Sequence, residues 1–167
     1  MHKWAESDLV IYFTLSFRPY SELESTHMRN FQTLDSSNVH QAAESVEFYL
    51  AAADDDQPRL AVRREGSYVT LSASYGPLEI AMRPRYEDFV RALSRLTAVE
   101  GLLTTRQVGT DHAYLALGLQ TDQSLLMRLT IVADATGHFS LNLHLTPSIA
   151  KTFYEWLNVP ELNGKHA

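Results

Sequence analysis

Apolar side chains recur at every second position in several stretches of this chain, and this period of two restricts its fold more than any other feature. Such alternation is typical of β-strands that bury one face and expose the other. Glycine, proline and polar residues separate the stretches, as expected for turns between antiparallel strands. The sequence therefore predicts strands over residues 9–17, 60–62, 69–75, 78–82, 115–119, 125–131 and 139–145, and a weaker strand over 102–108.

Three further stretches repeat apolar residues with the spacing of an α-helix. Ser37 is a suitable N-cap for a helix over residues 38–52. Pro84 precedes a second helix, whose apolar stripe lies within residues 89–96. Thr146 is the predicted N-cap of a third helix, followed by a proline at its first position. The apolar stripe of that third helix comprises Ile149, Phe153, Trp156 and Leu157.

The order of these elements predicts the α+β class, with two β-rich units that each contain about four antiparallel strands followed by a helix. The helix near 38–52 is then an insertion. Residues 78–82 superpose on residues 139–143 in their alternation, and the helix that follows each strand superposes as well. The overlay is compatible with an internal duplication of about 9–97 and 101–158, although any two strand-then-helix patterns resemble each other.

A single domain can contain all of residues 1–167, because this length is within the usual domain size and suffices for a core without disulfides. Residues 160–167 show neither period and are predicted to form a loose tail. The core is predicted to consist of the apolar positions of the strands and helices. Those expected to be buried include Leu71, Ile80, Phe89, Leu93, Leu117, Leu129, Leu141 and Phe153.

A doubled plan of four strands and a helix resembles the Whirly and PUR-type folds that bind single-stranded nucleic acids. The resemblance rests on the order of the elements, extends over nearly the whole chain and carries over no site residues. It implies nucleic-acid binding on a sheet face. From residue 38 onward, the order helix, three strands, helix, strands, helix also resembles small acidic secretion-chaperone-like folds. This second resemblance implies a protein partner and a dimer.

Composition excludes several kinds of chemistry. The chain has no cysteine, so disulfides, thiolate catalysis, zinc fingers and iron–sulfur clusters are excluded. The first residues do not fit a signal peptide, because Glu6 and Asp8 follow Lys3 and no small-residue cleavage site follows the apolar run. No apolar run approaches the roughly 20 residues that a membrane helix requires. We therefore expect a cytoplasmic protein without a membrane partner.

Charge is distributed unevenly along the chain, whose net charge is −6. Residues 1–56 carry ten acids and three bases, whereas residues 57–97 carry seven arginines and four acids. A field of overall negative sign repels nucleic acids. The middle of the chain is the one part where an anionic partner is expected to bind.

Candidate catalytic and metal-binding residues form no recognisable motif. His138 and His144 share one strand face, but six residues of strand span about 20 Å, too far to ligate one ion. The acidic run at residues 54–56 lacks the ligand spacing of a calcium loop and is predicted to be a solvated loop. We predict no metal and no cofactor. An enzyme with a dispersed site that uses Asp111, His112 and His144 is a subordinate alternative.

Arginines on the predicted strands are the most suggestive cluster in the sequence. They are placed on the outward face of the strands or at strand ends, together with a tyrosine, threonine and serines. A basic sheet face that carries an aromatic ring can follow a phosphate backbone and stack bases. Alternatively, an exposed sheet face needs polar residues in any case, and acids of residues 1–56 could pair with the arginines. The candidate nucleic-acid-binding residues are Arg59, Arg63, Tyr68, Arg83 and Arg85.

The function that these observations favour is a non-catalytic binding protein that recognises another protein, because the sheets are well specified and no catalytic motif is present. Self-association through an edge strand or an apolar patch is a related expectation. Apolar residues also occur at positions that the alternation assigns to polar faces. They are Val10, Tyr12, Leu126 and Val132, and some are expected to cover an interface or the inserted helix.

Overall fold

The computed structural model describes residues 30–51, 57–99, 106–134 and 137–160, which form two five-stranded sheets and two helices. This mixture confirms the α+β class. The strands are β1 (Gln32–Leu34), β2 (Ser36–His40), β3 (Ser45–Tyr49), β4 (Arg59–Glu65), β5 (Tyr68–Tyr75), β6 (Leu78–Met82), β7 (Arg106–Gly109), β8 (Ala113–Leu119), β9 (Leu125–Asp134) and β10 (Gly137–Leu145). The helices are α1 (Tyr86–Ser94) and α2 (Pro147–Trp156).

The first sheet, called the N-sheet, contains β2 to β6 in sequence order, and all neighbouring strands are antiparallel. Gly66 and Gly76 lie in the two tight turns and have φ angles of 61° and 55°, in the region that glycine adopts without steric cost. The strands predicted over 60–62, 69–75 and 78–82 are confirmed as β4, β5 and β6.

The second sheet, called the C-sheet, has the strand order β1-β10-β9-β8-β7. The pairs among β7 to β10 are antiparallel, whereas β1 runs parallel to β10. Because β1 and β2 are separated by Asp35 alone, one extended segment joins an edge of each sheet. The strands predicted over 115–119, 125–131 and 139–145 are confirmed, and the weak pattern near 102–108 includes the start of β7.

The helix predicted over 38–52 is wrong, because this segment forms the hairpin β2–β3. A 3-10 turn and then Glu44, with a left-handed φ of 47°, reverse the chain between the two strands. Val39 pairs directly with Val46 across the hairpin. Residues seven apart lie on one face of a helix, but they also face each other across a hairpin of this length, so the spacing fitted both structures.

The core lies between the inner faces of the two sheets and the two helices. Phe153 of α2 packs edge-on against Phe48 of the N-sheet at 5.3 Å between ring centroids, and lies 6.0 Å from Phe89 of α1. All eight residues predicted to be buried are buried. The apolar alternation extends beyond this core at one end of the β9–β10 hairpin, where the paired Ile131 and Phe139 are each 39% exposed.

Both helices after the strands are confirmed, with one difference in capping. Pro147 occupies the first turn of α2, as predicted, and Thr146 is the N-cap residue. The Thr146 hydroxyl nevertheless makes no capping bond to the helix backbone and lies 3.3 Å from the Ser148 hydroxyl. The fixed φ of proline, rather than a side-chain cap, therefore defines the start of α2.

Several predictions fall outside the described residues. They are the strand over 9–17, the acidic loop at 54–56 and most of the tail at 160–167. The common origin of the two halves stays a prediction, as does the single-domain organisation. The first half departs from the predicted plan in one respect. The hairpin β2–β3, which belongs to the five-stranded N-sheet, occupies the place of the predicted inserted helix.

Candidate binding face

The N-sheet has one face toward the core and a second face, called the outer face, toward solvent. Alternate residues of β4 and β5 are buried, and the residues between them are at least partly exposed and, apart from Ala61, polar. Strand pairing aligns these outward residues in rows across the sheet. Two rows, ordered from β2 to β6, are Asn38, Glu47, Ala61, Ser72 and Ala81, and Ser36, Tyr49, Arg59, Ser74 and Glu79.

All members of these two rows except Ser36 and Ala81 line a concave region of about 410 Å³. Glu47, Arg59 and Glu79 contribute charges of both signs to its lining. The Ser72 hydroxyl donates a hydrogen bond to the Glu79 carboxylate across the β5–β6 pair. With both signs of charge in one depression, this end of the outer face suits a polar peptide surface better than a chain of phosphates.

Arginine and tyrosine side chains gather at the opposite end of the N-sheet. The Arg83 guanidinium carbon lies 4.7 Å from the centroid of the Tyr68 ring, and that of Arg64 lies 4.2 Å from the centroid of the Tyr86 ring. Both distances are within the range of cation–π attraction. Arg63, Tyr68 and Arg83 lie on the outer face, whereas Arg64 occupies an inward position of β4 by strand alternation. We call Arg63, Tyr68 and Arg83 the arginine–tyrosine cluster.

One carboxylate lies among these cations. Glu65 forms ion pairs with both arginines, with 3.2 Å between its Oε2 and Arg83 Nε and 3.9 Å between its Oε1 and Arg63 Nε. The side chains of Arg63 and Arg83 are still 64% and 58% exposed. An exposed pair of this kind holds its geometry weakly, so both guanidinium groups stay accessible to a partner.

Of the predicted site residues, the structure brings Arg63, Tyr68 and Arg83 together. The backbone of Arg85 forms an isolated bridge with that of Tyr68, so this exposed arginine lies beside the cluster, where α1 begins. Arg59 is at the other end of β4, about 13 Å along the strand from Arg63, and lines the concave region instead. The predicted set is therefore divided between the two ends of the outer face.

Sequence reasoning missed the contact between Arg64 and Tyr86, which lies at the same end of the sheet as the cluster. Arg64 occupies an inward position of β4, and it contacts Tyr86 only because α1 starts directly beyond the end of β6. The Tyr86 hydroxyl donates to the backbone carbonyl of Leu157 at 2.5 Å, which joins the start of α1 to the end of α2. A local pattern gives no signal for this contact, since it depends on how the helix returns to the sheet.

The residues of the alternative dispersed enzyme site are not brought together. Asp111 and His112 are exposed before β8, where the carbonyl of His112 accepts from the Val132 backbone N–H at 2.8 Å. His144 pairs with Leu126, six residues along β9 from Val132. This separation is about 20 Å, too far for one reacting group to contact both histidines.

A separate cavity of about 380 Å³ lies between α2 and the β8–β9 turn. Tyr154 lines it, and its hydroxyl is buried without a hydrogen-bond partner. Burial raises the pKa of Tyr154 to about 12, so the phenol is neutral at pH 7. At the rim, Lys151 Nζ lies 3.7 Å from Glu155. The two charged side chains that line this cavity, Lys151 and Glu155, therefore pair with each other.

Comparisons with protein-family models, curated proteins and solved structures found no match for this chain. In the described part of the chain, no three histidine, aspartate or glutamate side chains are close enough to hold a metal ion. Within those same residues, neither helix has the length and apolar character needed to cross a membrane. The candidate site therefore rests on the geometry of the outer face.

Proposed function

We propose that this chain is a non-catalytic binding protein that recognises an acidic segment of another protein on the outer face of the N-sheet. The arginine–tyrosine cluster is the observation that supports this proposal. Tyrosine and arginine are enriched among the residues that contribute most to protein interfaces. Here they lie on the same outer face as the concave region, at the opposite end of the sheet, so one extended partner can contact both.

The cluster suits an acidic peptide because it offers cations that are already oriented. Tyr68 holds the plane of Arg83 by cation–π contact. An oriented guanidinium loses less conformational freedom when it forms two parallel bonds to a carboxylate. Glu65 is one carboxylate within ion-pair distance of two arginines, so the three side chains together carry one excess positive charge. A carboxylate from a partner can pair with that excess charge.

Affinity capture tests this proposal. The immobilised wild-type chain is compared with Arg63→Ala/Arg83→Ala in a lysate of the source organism, and bound proteins are identified by mass spectrometry. The matched control is Arg91→Ala/Arg95→Ala, which removes the same charge from exposed positions at the end of α1. We expect one set of acidic proteins to be lost with the first variant and kept with the second. Equal capture by all three proteins contradicts the assignment.

Single-stranded nucleic acid is the second candidate partner, and the accumulation of Arg63, Arg64, Arg83 and Arg85 at one end of the sheet favours it. Arg83 lies over the Tyr68 ring, however, so it covers a surface on which a base would stack. Fluorescence anisotropy with a labelled oligothymidine at low salt separates this candidate from the first. Binding that weakens in Arg63→Ala/Arg83→Ala, with a salt slope reduced by about 0.7 per lost phosphate contact, would favour nucleic acid.

A further inference from the structure

The strand β6 lies at an edge of the N-sheet. In the described part of the chain it pairs with β5 and with no other strand. Leu78, Glu79 and Ala81 are all exposed, and Leu78 is the most exposed large apolar side chain among the described residues, at 51%. An edge strand presents a row of backbone N–H and C=O groups with which a further strand can pair. The edge of β6 is therefore a surface for strand addition.

The hydrogen bond just beyond β6 shows which backbone groups of this strand point away from β5. The Val69 N–H donates to the Pro84 carbonyl at 3.0 Å, which makes these two residues a hydrogen-bonded pair in the register of β5 and β6. Hydrogen-bonded and non-hydrogen-bonded pairs alternate along an antiparallel ladder. The N–H and C=O groups that point toward the edge are therefore those of Glu79, Ala81 and Arg83.

These three residues form a pattern that is complementary to itself. Glu79 lies two positions before Ala81, and Arg83 lies two positions after it. A second β6 placed antiparallel, with the two alanines opposite each other, puts Glu79 of each copy opposite Arg83 of the other copy. Each of the three resulting pairs can exchange both of its backbone hydrogen bonds. Opposite charges directly across two antiparallel strands stabilise the pairing.

The neighbouring registers are less favourable. A shift of two residues one way places Arg83 opposite Pro77, which has no N–H to donate. A shift of two residues the other way places Glu79 opposite Arg85, whose carbonyl already accepts from the Phe89 N–H of α1 at 3.0 Å. A shift of four residues places two glutamates or two arginines opposite each other, and like charges in that position are destabilising. The register centred on Ala81 is thus the preferred one.

The inner side of β6 is apolar and matches itself in the same register. Leu78, Ile80 and Met82 alternate with the charged positions. Ile80 then lies opposite Met82 of the second copy, and Leu78 lies opposite Pro84 of the second copy. These are non-hydrogen-bonded pairs, in which side chains approach each other more closely. Pairing in this register therefore also covers the exposed side chain of Leu78.

We infer that β6 pairs with β6 of a second copy of this chain, antiparallel and centred on Ala81. The two five-stranded N-sheets then form one continuous sheet with both outer faces on the same side. Glu65 contacts Arg83 through Nε, which leaves the two Nη groups of Arg83 for Glu79 of the second copy. The inference does not rest on the proposed binding of an acidic segment.

Sedimentation equilibrium of the full chain over a series of concentrations tests this pairing. We expect a dimer for the wild-type chain, and Glu79→Arg and Arg83→Glu should each weaken it by at least about tenfold, because both symmetric pairs then carry like charges. An equimolar mixture of the two variants should dimerise again, since all of its cross-strand pairs are opposite in charge. Glu155→Arg, at an exposed position of α2, makes the same charge change as Glu79→Arg and should leave the dimer intact.

Disulfide cross-linking tests the register without changing any charge, since the chain has no cysteine of its own. In a hydrogen-bonded pair the two Cα atoms lie about 5.5 Å apart, within the range of a disulfide. Ala81→Cys should therefore cross-link two copies at least about tenfold faster than Leu78→Cys, whose two copies lie six residues or about 20 Å apart in this register.

Two results would overturn the inference. One is a wild-type chain that stays monomeric throughout the concentration series, and the other is equal cross-linking of Ala81→Cys and Leu78→Cys. Glu79→Arg leaves every residue of the arginine–tyrosine cluster unchanged. Loss of the dimer in this variant, with acidic proteins still captured from the lysate, would therefore separate the pairing of β6 from the proposed function.

Discussion

Phe153 shows how one residue connects elements that are distant in sequence. Its ring contacts Phe48 on β3 and Phe89 on α1, so this one side chain of α2 packs against both the N-sheet and the other helix. Offset and edge-on contacts between aromatic rings add about 0.5–1.5 kcal/mol beyond the burial of their area. The neighbouring buried positions of α1 are therefore expected to be sensitive to any loss of volume.

Leu93→Ala tests this sensitivity. Leu93 is fully buried, so truncation removes apolar contacts and leaves a cavity, and we expect the free energy of unfolding to fall by about 2–5 kcal/mol. Leu78→Ala is the control, because Leu78 is 51% exposed at the β5–β6 turn and should change the stability by less than about 1 kcal/mol. Urea denaturation measures both. Similar losses for the two variants would mean that α1 packs by another face.

Asp122 carries a pH dependence that can be assigned to a named neighbour. The Ser124 hydroxyl and the Ser124 backbone N–H donate to Asp122 Oδ1 at 2.6 and 2.9 Å, and these bonds lower the pKa of Asp122 below 3.8. A carboxyl with a depressed pKa in the folded state stabilises the fold above its unfolded pKa. That stabilisation is lost as the pH falls from about 4 through the lower folded value.

Ser124→Ala should therefore raise the pKa of Asp122 toward its usual value and reduce the loss of stability in acid. Carbon-13 NMR titration of the Asp122 carboxyl measures the pKa directly, and urea melts at several pH values measure the stability. Ser140→Ala is the control, because Ser140 lies on β10 and its hydroxyl contacts Thr130 instead. An unchanged Asp122 titration in Ser124→Ala would contradict the assigned cause.

At the scale of the elements, the sequence predicted strands with a strict period of two and the two helices that a proline precedes or begins. It failed at residues 38–52, where the decisive interactions are not local. β3 is held by pairing with β4 on one side and β2 on the other, and Phe48 reaches Phe153 more than a hundred residues away. Tertiary pairing of this kind overrides the helical propensity of alanine and glutamate near the turn.

The turn between β2 and β3 provides a test that distinguishes the hairpin from the predicted helix. Glu44 has a left-handed φ of 47°, a conformation that costs a residue with a side chain roughly 1–2 kcal/mol. We expect Glu44→Gly to raise the free energy of unfolding by about 0.5–1 kcal/mol, whereas glycine within a helix would lower it by about 1 kcal/mol. Denaturant melts give the sign. Glu47→Gly, in the middle of β3, is expected to destabilise the chain.

At the scale of the whole molecule, charge is the property that the sequence predicted only in part. The excess of arginine in residues 57–97 predicted a basic region, and alternation placed Arg63 and Arg83 on the same face. The structure adds the pairing of both with Glu65, an acid of the same segment. It also adds Arg64 and Tyr86, whose contact depends on the position of α1.

A pair of charge-matched variants separates the local cluster from the net charge of −6. Glu65→Gln and Glu87→Gln change the net charge equally, but Glu65 pairs with Arg63 and Arg83, whereas Glu87 is exposed in the first turn of α1. Removing Glu65 leaves both guanidinium groups for a partner carboxylate. Exposed ion pairs contribute about 0.2–1 kcal/mol, so we expect Glu65→Gln to tighten the binding of a fluorescein-labelled peptide rich in glutamate by up to about fivefold.

The Glu87 variant should change the affinity less, and the difference should shrink as salt screens the charges beyond about 10 Å at 0.1 M. Anisotropy titrations at two salt concentrations measure both effects, and equal affinities of the two variants would show that the net charge, and not the arginine–tyrosine cluster, controls binding.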